Sequence, residues 1–158
     1  NTGTIVAGGQ CDEASRYFAP TLVVDPAPDS ALMADEIFGP ILPIVGVDSW
    51  KQAVDEVRTR PKPLALYAFT NNAAHQQEVS DRTSSGALVI NDAVAHFASS
   101  TLPFGGVGDS GMGGYHGKAS FDAFSHQKSV LKRYFFGDVP QRYPHTAGSI
   151  GFWKRILG

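Results

Sequence analysis

The chain has 158 residues, 42% of them apolar, the size and composition of one ordinary domain with a real core. Its net charge of −2, with no long basic run, gives no field that would collect nucleic acid or an anionic surface, so no nucleic-acid partner is expected. The single cysteine, Cys11, rules out an intrachain disulfide and fits a reducing compartment, which makes the cytoplasm the expected location. No stretch approaches the roughly 20 apolar residues that span a bilayer. Asn1-Thr2-Gly3 offers neither an initiator Met nor a signal profile, and the amphipathic run Phe152 to Leu157 stops after about one turn. Both ends read as cuts through a larger protein, which leaves a membrane anchor in a further tail open.

Along the chain, Ile5-Val6-Ala7 and Pro20 to Val24 are β-branched runs bounded by Gly8-Gly9 and by Asp25-Pro26-Ala27-Pro28, the pattern of strands ending in turns. Asp29 or Ser30 can cap a short helix through Asp35, and Pro40 bounds it. Ile41 to Val47 suits a strand, and Pro43, lacking an N–H, places it at an edge or bulge. Asp48-Ser49 opens a helix with Trp50, Ala53, Val54 and Val57 on one face and Lys51, Asp55, Glu56 and Arg58 towards water. Pro61 and Pro63 stop it. Leu64 to Phe69 is nearly all apolar, as expected of a strand buried on both faces. Asn71 or Asn72 caps a helix to about Ser84, and Gly86 precedes the strand Ala87 to Asn91. Strands alternating with helices over short connections imply parallel strands joined by right-handed crossovers, hence an α/β fold.

His96 to Gly117 then holds seven glycines, a long loop of the kind that lines a site beyond the carboxyl ends of parallel strands. A short helix is expected from Ser120 to about His126, and an extended segment with little core of its own from Gln127 to Tyr134.

Several motifs are weaker than they look. Gly106-Val107-Gly108-Asp109-Ser110-Gly111 matches G-x-G-x-x-G, yet no strand runs into it and Gly113, Gly114 and Gly117 discourage a following helix. A structural glycine loop is the better reading. Gly108-Asp109-Ser110-Gly111 has the letters of a serine-protease nucleophile loop on the wrong fold, so Ser110 is expected to satisfy neighbouring backbone. Cys11 lies beside Asp12 and Glu13, which oppose a thiolate, and is read as non-catalytic. His75, His96, His116, His126 and His145 lack paired ligand spacing, so no metal site is expected. Glu36 is different in kind: a carboxylate beside Ile37, Phe38, Gly39 and Pro40 is either solvated at a helix end or kept for a ligand.

Glu36-Ile37-Phe38-Gly39-Pro40 resembles the E-[IV]-F-G-P motif of the aldehyde dehydrogenase superfamily, and Leu102-Pro103-Phe104-Gly105-Gly106 resembles its later P-F-G-G motif. Arg16 to Thr21, Gly39 to Ile44, Gly111 to Gly117, Phe121 and Phe124-Ser125-His126 are similar to the class 3 branch, and Arg142-Tyr143-Pro144 to its tail, although His145 and Thr146 depart there. The resemblance implies the C-terminal part of the catalytic domain, a parallel-strand sheet covered by helices, over residues 1–126. An oligomerisation strand over 127–134 and a truncated tail over 135–158 would follow. It implies an enzyme that captures an aldehyde on a cysteine thiolate, passes hydride to NAD or NADP and hydrolyses the thioester to the acid.

Carried over by residue, Glu36 would accept hydrogen bonds from the nicotinamide ribose and Phe38 would pack near the nicotinamide. Phe104 and His96 would line the aldehyde pocket, and the parent enzyme would be a homodimer. The family's nucleophile, oxyanion asparagine, glutamate base and cofactor domain precede the first motif, so no residue here is catalytic and the segment alone is expected to be inactive. The alternative is a non-catalytic nucleotide- or anion-binding module of the same fold.

Overall fold

The computed structural model describes residues 3–138, 140, 143 and 150–157, the side chains of 152 and 156 excepted. The chain divides into two compact units, Asn1–Phe124 and Ser125–Gly158.

In the first unit, β1 (Thr4–Ala7) pairs antiparallel with β4 (Thr21–Val24), which pairs parallel with β5 (Ile41–Ile44). A small hairpin, β2 (Cys11–Asp12) and β3 (Tyr17–Phe18), interrupts the path from β1 to β4. Val23 is buried in the middle strand, and so is Thr21, whose hydroxyl donates to the Ala19 carbonyl at 2.7 Å and accepts from the Gly9 N–H at 2.9 Å. A buried hydroxyl with both capacities used costs little. Pro43 stands opposite Val23 on β5, the edge of this sheet, as its missing donor requires.

The second sheet is the parallel pair β6 (Ala65–Ala68) and β7 (Ala87–Ile90). Parallel pairing therefore holds within β4–β5 and within β6–β7, but the single succession expected from β5 onwards is split between two sheets. The burial expected of β6 on both faces is also not found: Ala68 is buried, while Leu64, Tyr67 and Phe69 are exposed. β6 pairs only with β7 among the described strands, and the face that carries Ala65 and Tyr67 is left uncovered where it lines a cleft.

Helix α2 (Trp50–Thr59) starts where Ser49 accepts from the Gln52 N–H, and α3 (Ala73–Arg82) where Asn72 accepts from the Ala74 N–H. α3 ends two residues before the expected boundary. Val54 and Val79 are the buried residues of these helices. Trp50 stacks on His75 with centroids 4.7 Å apart, and Arg82 reaches Asp55 at 2.6 Å while also pairing Glu78. Asp55 and Glu56, expected in open solvent, are half-buried because Arg82 and Arg60 engage them. Hydrogen bonding to Lys51 and the nearby Arg82 charge hold the Asp55 carboxyl below its usual range.

α1 and α4 also differ from expectation. α1 spans only Ala31–Ala34, and its cap Ser30 makes no side-chain bond; the buried hydroxyl has no partner. α4 covers Gly117–Ala123 instead of starting at Ser120, because Ser120 sits inside the first turn and accepts from the His116 N–H at 2.8 Å.

In the second unit, the stretch from Gln127 to Tyr134 is exposed and pairs with no strand among the described residues. Asp138 accepts from Arg133 at 2.6 Å and from the Tyr143 hydroxyl at 2.5 Å, which pushes the Tyr143 phenol up. α5 (Ile150–Leu157) carries Lys154 and Arg155 in its last turn, where cations suit the helix dipole. Arg142 and the Pro144 to Thr146 part of the tail lie outside the described residues. Among the described residues no helix is long and apolar enough to cross a membrane.

Candidate functional site

Glu36 lies in the segment after α1, and Pro61 and Pro63 break the chain out of α2 on its way to β6. The alternation of β6 presents Ala65 and Tyr67 to one side. These elements and the Gly108–Ser110 turn enclose a cleft of about 670 Å³ lined by Asp35, Glu36, Lys62, Tyr67, Asp109 and Ser110 among others. The Ser110 hydroxyl donates to the Val107 carbonyl and accepts from the Val107 N–H, at 3.1 and 3.0 Å, so it serves local backbone as its sequence context predicts.

The charges of the cleft decide what it suits. Arg60 is spent on Glu56, at 2.5 and 3.1 Å, and on the Met33 carbonyl. The side chains of Asp35, Glu36 and Asp109 are without hydrogen-bond or ion-pair partners among the described residues, and Lys62 is the one described lining cation equally free. Three open carboxylates against one ammonium disfavour an anion and favour a ligand that donates hydrogen bonds, such as a sugar diol. The Glu36 carboxylate is free to accept hydrogen bonds from such a ligand. Phe38 does not line this cleft; the residue is 93% exposed.

A different surface forms where the glycine loop folds back. Phe104 and Tyr115 exchange backbone hydrogen bonds at 2.8 and 2.9 Å. This close approach demands Gly105, since a Cβ there would stand 2.1 Å from the Gly113 carbonyl oxygen. Phe104 is then surrounded by rings: His96 at 5.7 Å and nearly parallel, Phe97 at 5.3 Å edge-on, Tyr115 at 5.5 Å and His116 at 5.9 Å. These are favourable aromatic separations. Both His96 ring nitrogens are buried without a hydrogen bond, so the imidazole serves here as a flat packing surface. The structure therefore brings Phe104 and His96 into one cluster.

Tyr67 joins the two regions. It lines the Glu36 cleft, and its ring centroid lies 6.1 Å from that of His96. Sequence reasoning passed over Tyr67, Lys62 and Asp109 as participants; the usable signal was period-two alternation in β6, which sets Tyr67 on the same side as Ala65. Cys11 is exposed in the β2–β3 hairpin and is not among the cleft residues. No cluster of three or more potential metal ligands occurs among the described residues.

Comparison with known proteins follows the same lines. The sequence model described as the aldehyde dehydrogenase family matches residues 1–130. An aldehyde dehydrogenase of Craterostigma plantagineum is 52% identical over 97% of this chain and 32% of its own length. Aldehyde dehydrogenase family 3 member H1 of Arabidopsis thaliana is 48% identical, and family 3 member A2 of Rattus norvegicus 49%, each over 97% of this chain and 32% of the relative. A Staphylococcus aureus AldH structure, described as a substrate-bound state, superposes with a TM-score of 0.80 at 44% identity over 98% of this chain and 34% of that one. The chain spans about a third of the length of these relatives. It belongs to the aldehyde dehydrogenase family.

Proposed function

We propose that this chain is part of an NAD- or NADP-dependent enzyme that oxidises aldehydes to carboxylic acids, in which it supplies one side of the cofactor site and one wall of the aldehyde pocket. The observation that carries the reading is the union, through Tyr67, of a cleft holding the unpaired Glu36 with the ring cluster around Phe104 and His96. Glu36 accepts from the hydroxyls of the nicotinamide ribose, and Phe38, exposed two residues further on, packs against the nicotinamide end of the same ligand. The cofactor, when bound, supplies the hydride acceptor. Phe104 and His96 form an apolar wall that keeps water from the aldehyde and orients its carbonyl carbon. The nucleophile and base stand elsewhere in the enzyme, so the 158-residue chain alone is inactive and contains no catalytic residue.

The test uses the intact enzyme of which this chain forms part. Glu36→Gln keeps the shape of the side chain but weakens a charge-assisted hydrogen bond, and the KM for NAD(P) is expected to rise roughly tenfold. An unchanged KM removes Glu36 from the cofactor site. NAD binding to the isolated chain that is abolished by changing Gly106 and Gly108, yet indifferent to Glu36→Gln, would favour the anion-binding module instead; the surplus of open carboxylates speaks against it.

The parent enzyme is a homodimer in this reading, with residues 127–134 adding a strand to the partner. Val130 and Leu131 are 78% and 90% exposed, an unpaired apolar stretch of the kind that pairs edge to edge. Leu131→Lys is expected to shift the sedimenting species from dimer to monomer; a dimer that persists at micromolar concentration refutes the assignment. The cytoplasmic location rests on the lone, unpaired Cys11 and is tested by fractionation.

A further inference from the structure

The cleft beside β6 leaves few side-chain donors for a ligand. Each nitrogen of the Arg60 guanidinium is engaged by Glu56 or by the Met33 carbonyl, and the Ser110 hydroxyl is engaged by Val107. The Lys62 ammonium and the Tyr67 hydroxyl are the lining side-chain donors without partners among the described residues. A sugar diol needs such a donor. Each of its hydroxyls carries one donor and two acceptor lone pairs, whereas the Glu36 carboxylate only accepts. Glu36 alone would satisfy the O–H groups of a diol and leave its oxygens without a protein donor.

Tyr67 is the better placed of the two. Its backbone is fixed in the parallel ladder opposite Val89, and Ala65 and Tyr67 line the cleft while Leu66 does not, as strand alternation requires. The ring meets that of His96 with centroids 6.1 Å apart, and His96 stacks in turn on Phe104. The residue is nevertheless 37% exposed, so packing holds the ring and leaves it within reach from the cleft. Lys62 is exposed in the connection between Pro61 and Pro63, and its four-carbon stem loses more rotamer freedom on binding than a phenol already held by its neighbours.

We propose that Tyr67 is a second cofactor-binding residue of this cleft: its hydroxyl donates to the ribose diol from which Glu36 accepts, while its ring, packed on His96, sets that diol relative to the aldehyde pocket. This rests on the proposed cofactor site. Carboxylate and phenol then form a complementary pair, one accepting and one donating.

The experiment titrates the intact enzyme calorimetrically with NAD and with NADP, and follows whichever binds tighter through Tyr67→Phe, Glu36→Gln and the double variant. Tyr67→Phe keeps the ring on His96 and removes one neutral hydrogen bond, so the Kd is expected to rise about fivefold while melting temperature and aldehyde KM stay unchanged. The double variant should raise the Kd by less than the product of the two single effects, since both groups serve one diol. Single effects that multiply in full, a lowered melting temperature in Tyr67→Phe, or equal rises in its cofactor Kd and aldehyde KM would overturn the assignment. Weaker binding in Glu36→Gln with none in Tyr67→Phe removes this assignment and leaves the proposed function standing. Unchanged binding in both takes the cofactor out of the cleft, and the two readings fall together.

Discussion

The Glu36 cleft and the Phe104 cluster are adjoining regions built on opposite rules. Around Glu36, the side chains of Asp35, Glu36, Asp109 and Lys62 stand open with no partners among the described residues, whereas around Phe104 five rings satisfy one another and even an imidazole is used for its faces. A protein that kept unpaired carboxylates in its packed interior would be destabilised, and one that left an aromatic cluster without internal contacts would aggregate. The cluster is held by its internal contacts, whereas the cleft carries carboxylates that add no contacts to the fold, so each side can be altered separately.

The largest effect should come from the cluster's closest approach. Gly105→Ala forces a methyl to within 2.1 Å of the Gly113 carbonyl oxygen and must part the Phe104–Tyr115 bridge. A loss of about 3 kcal/mol is expected by urea denaturation, at the upper end for overpacking. A variant within about 0.5 kcal/mol of the parent would show that the loop closes without this contact.

His96 tests the same packing with the opposite sign. Its two buried, unpartnered nitrogens bear a desolvation penalty that His96→Phe removes at similar shape, so a gain of about 1 kcal/mol is expected in the same measurement. A loss of that size would mean that an unseen water or ligand satisfies the ring.

Polar groups paired within the fold behave differently from the open carboxylates of the cleft. Asp55, bonded by Lys51 and Arg82, titrates below its usual value, so the stability it contributes is complete above its unfolded pKa, roughly 3.9, and is lost as pH falls through the folded value. The melting temperature of Asp55→Asn should fall less steeply than that of the parent as pH drops below about 4. Parallel curves would assign the acid sensitivity to other carboxylates. The partners are partly exposed and salt screens them, so the effect is smaller than at Gly105 or His96.

How much of this was legible in the sequence depended on the range of the interaction concerned. The Trp50, Ala53, Val54, Val57 face and the edge position of Pro43 follow from residue spacing and a missing N–H, and both appear as expected. Grouping Phe104 with His96 came from the family resemblance, and the ring contacts now give it a physical basis. The two-sheet split and the opening beside β6 were not legible, because strand neighbours are chosen by tertiary packing and an apolar run such as Leu64 to Phe69 reads the same with one covered face or two. The start of α4 was misplaced because a serine that reaches back from within the first turn looks, in sequence, like one that precedes it.

The smallest effect on folding is expected at Glu36, and that is its diagnostic value. An exposed carboxylate with no partner among the described residues gives the native state nothing to lose, so Glu36→Gln should leave the unfolding free energy in urea within about 0.5 kcal/mol of the parent while, on the proposed function, cofactor recognition suffers. Because Asp35 and Asp109 line the same cleft, removing one of three like charges should if anything relieve repulsion slightly. A clear loss of stability would mean that Glu36 is a structural partner of some group, and the contrast between a cleft kept open for a ligand and a cluster closed on itself would fail at its polar end.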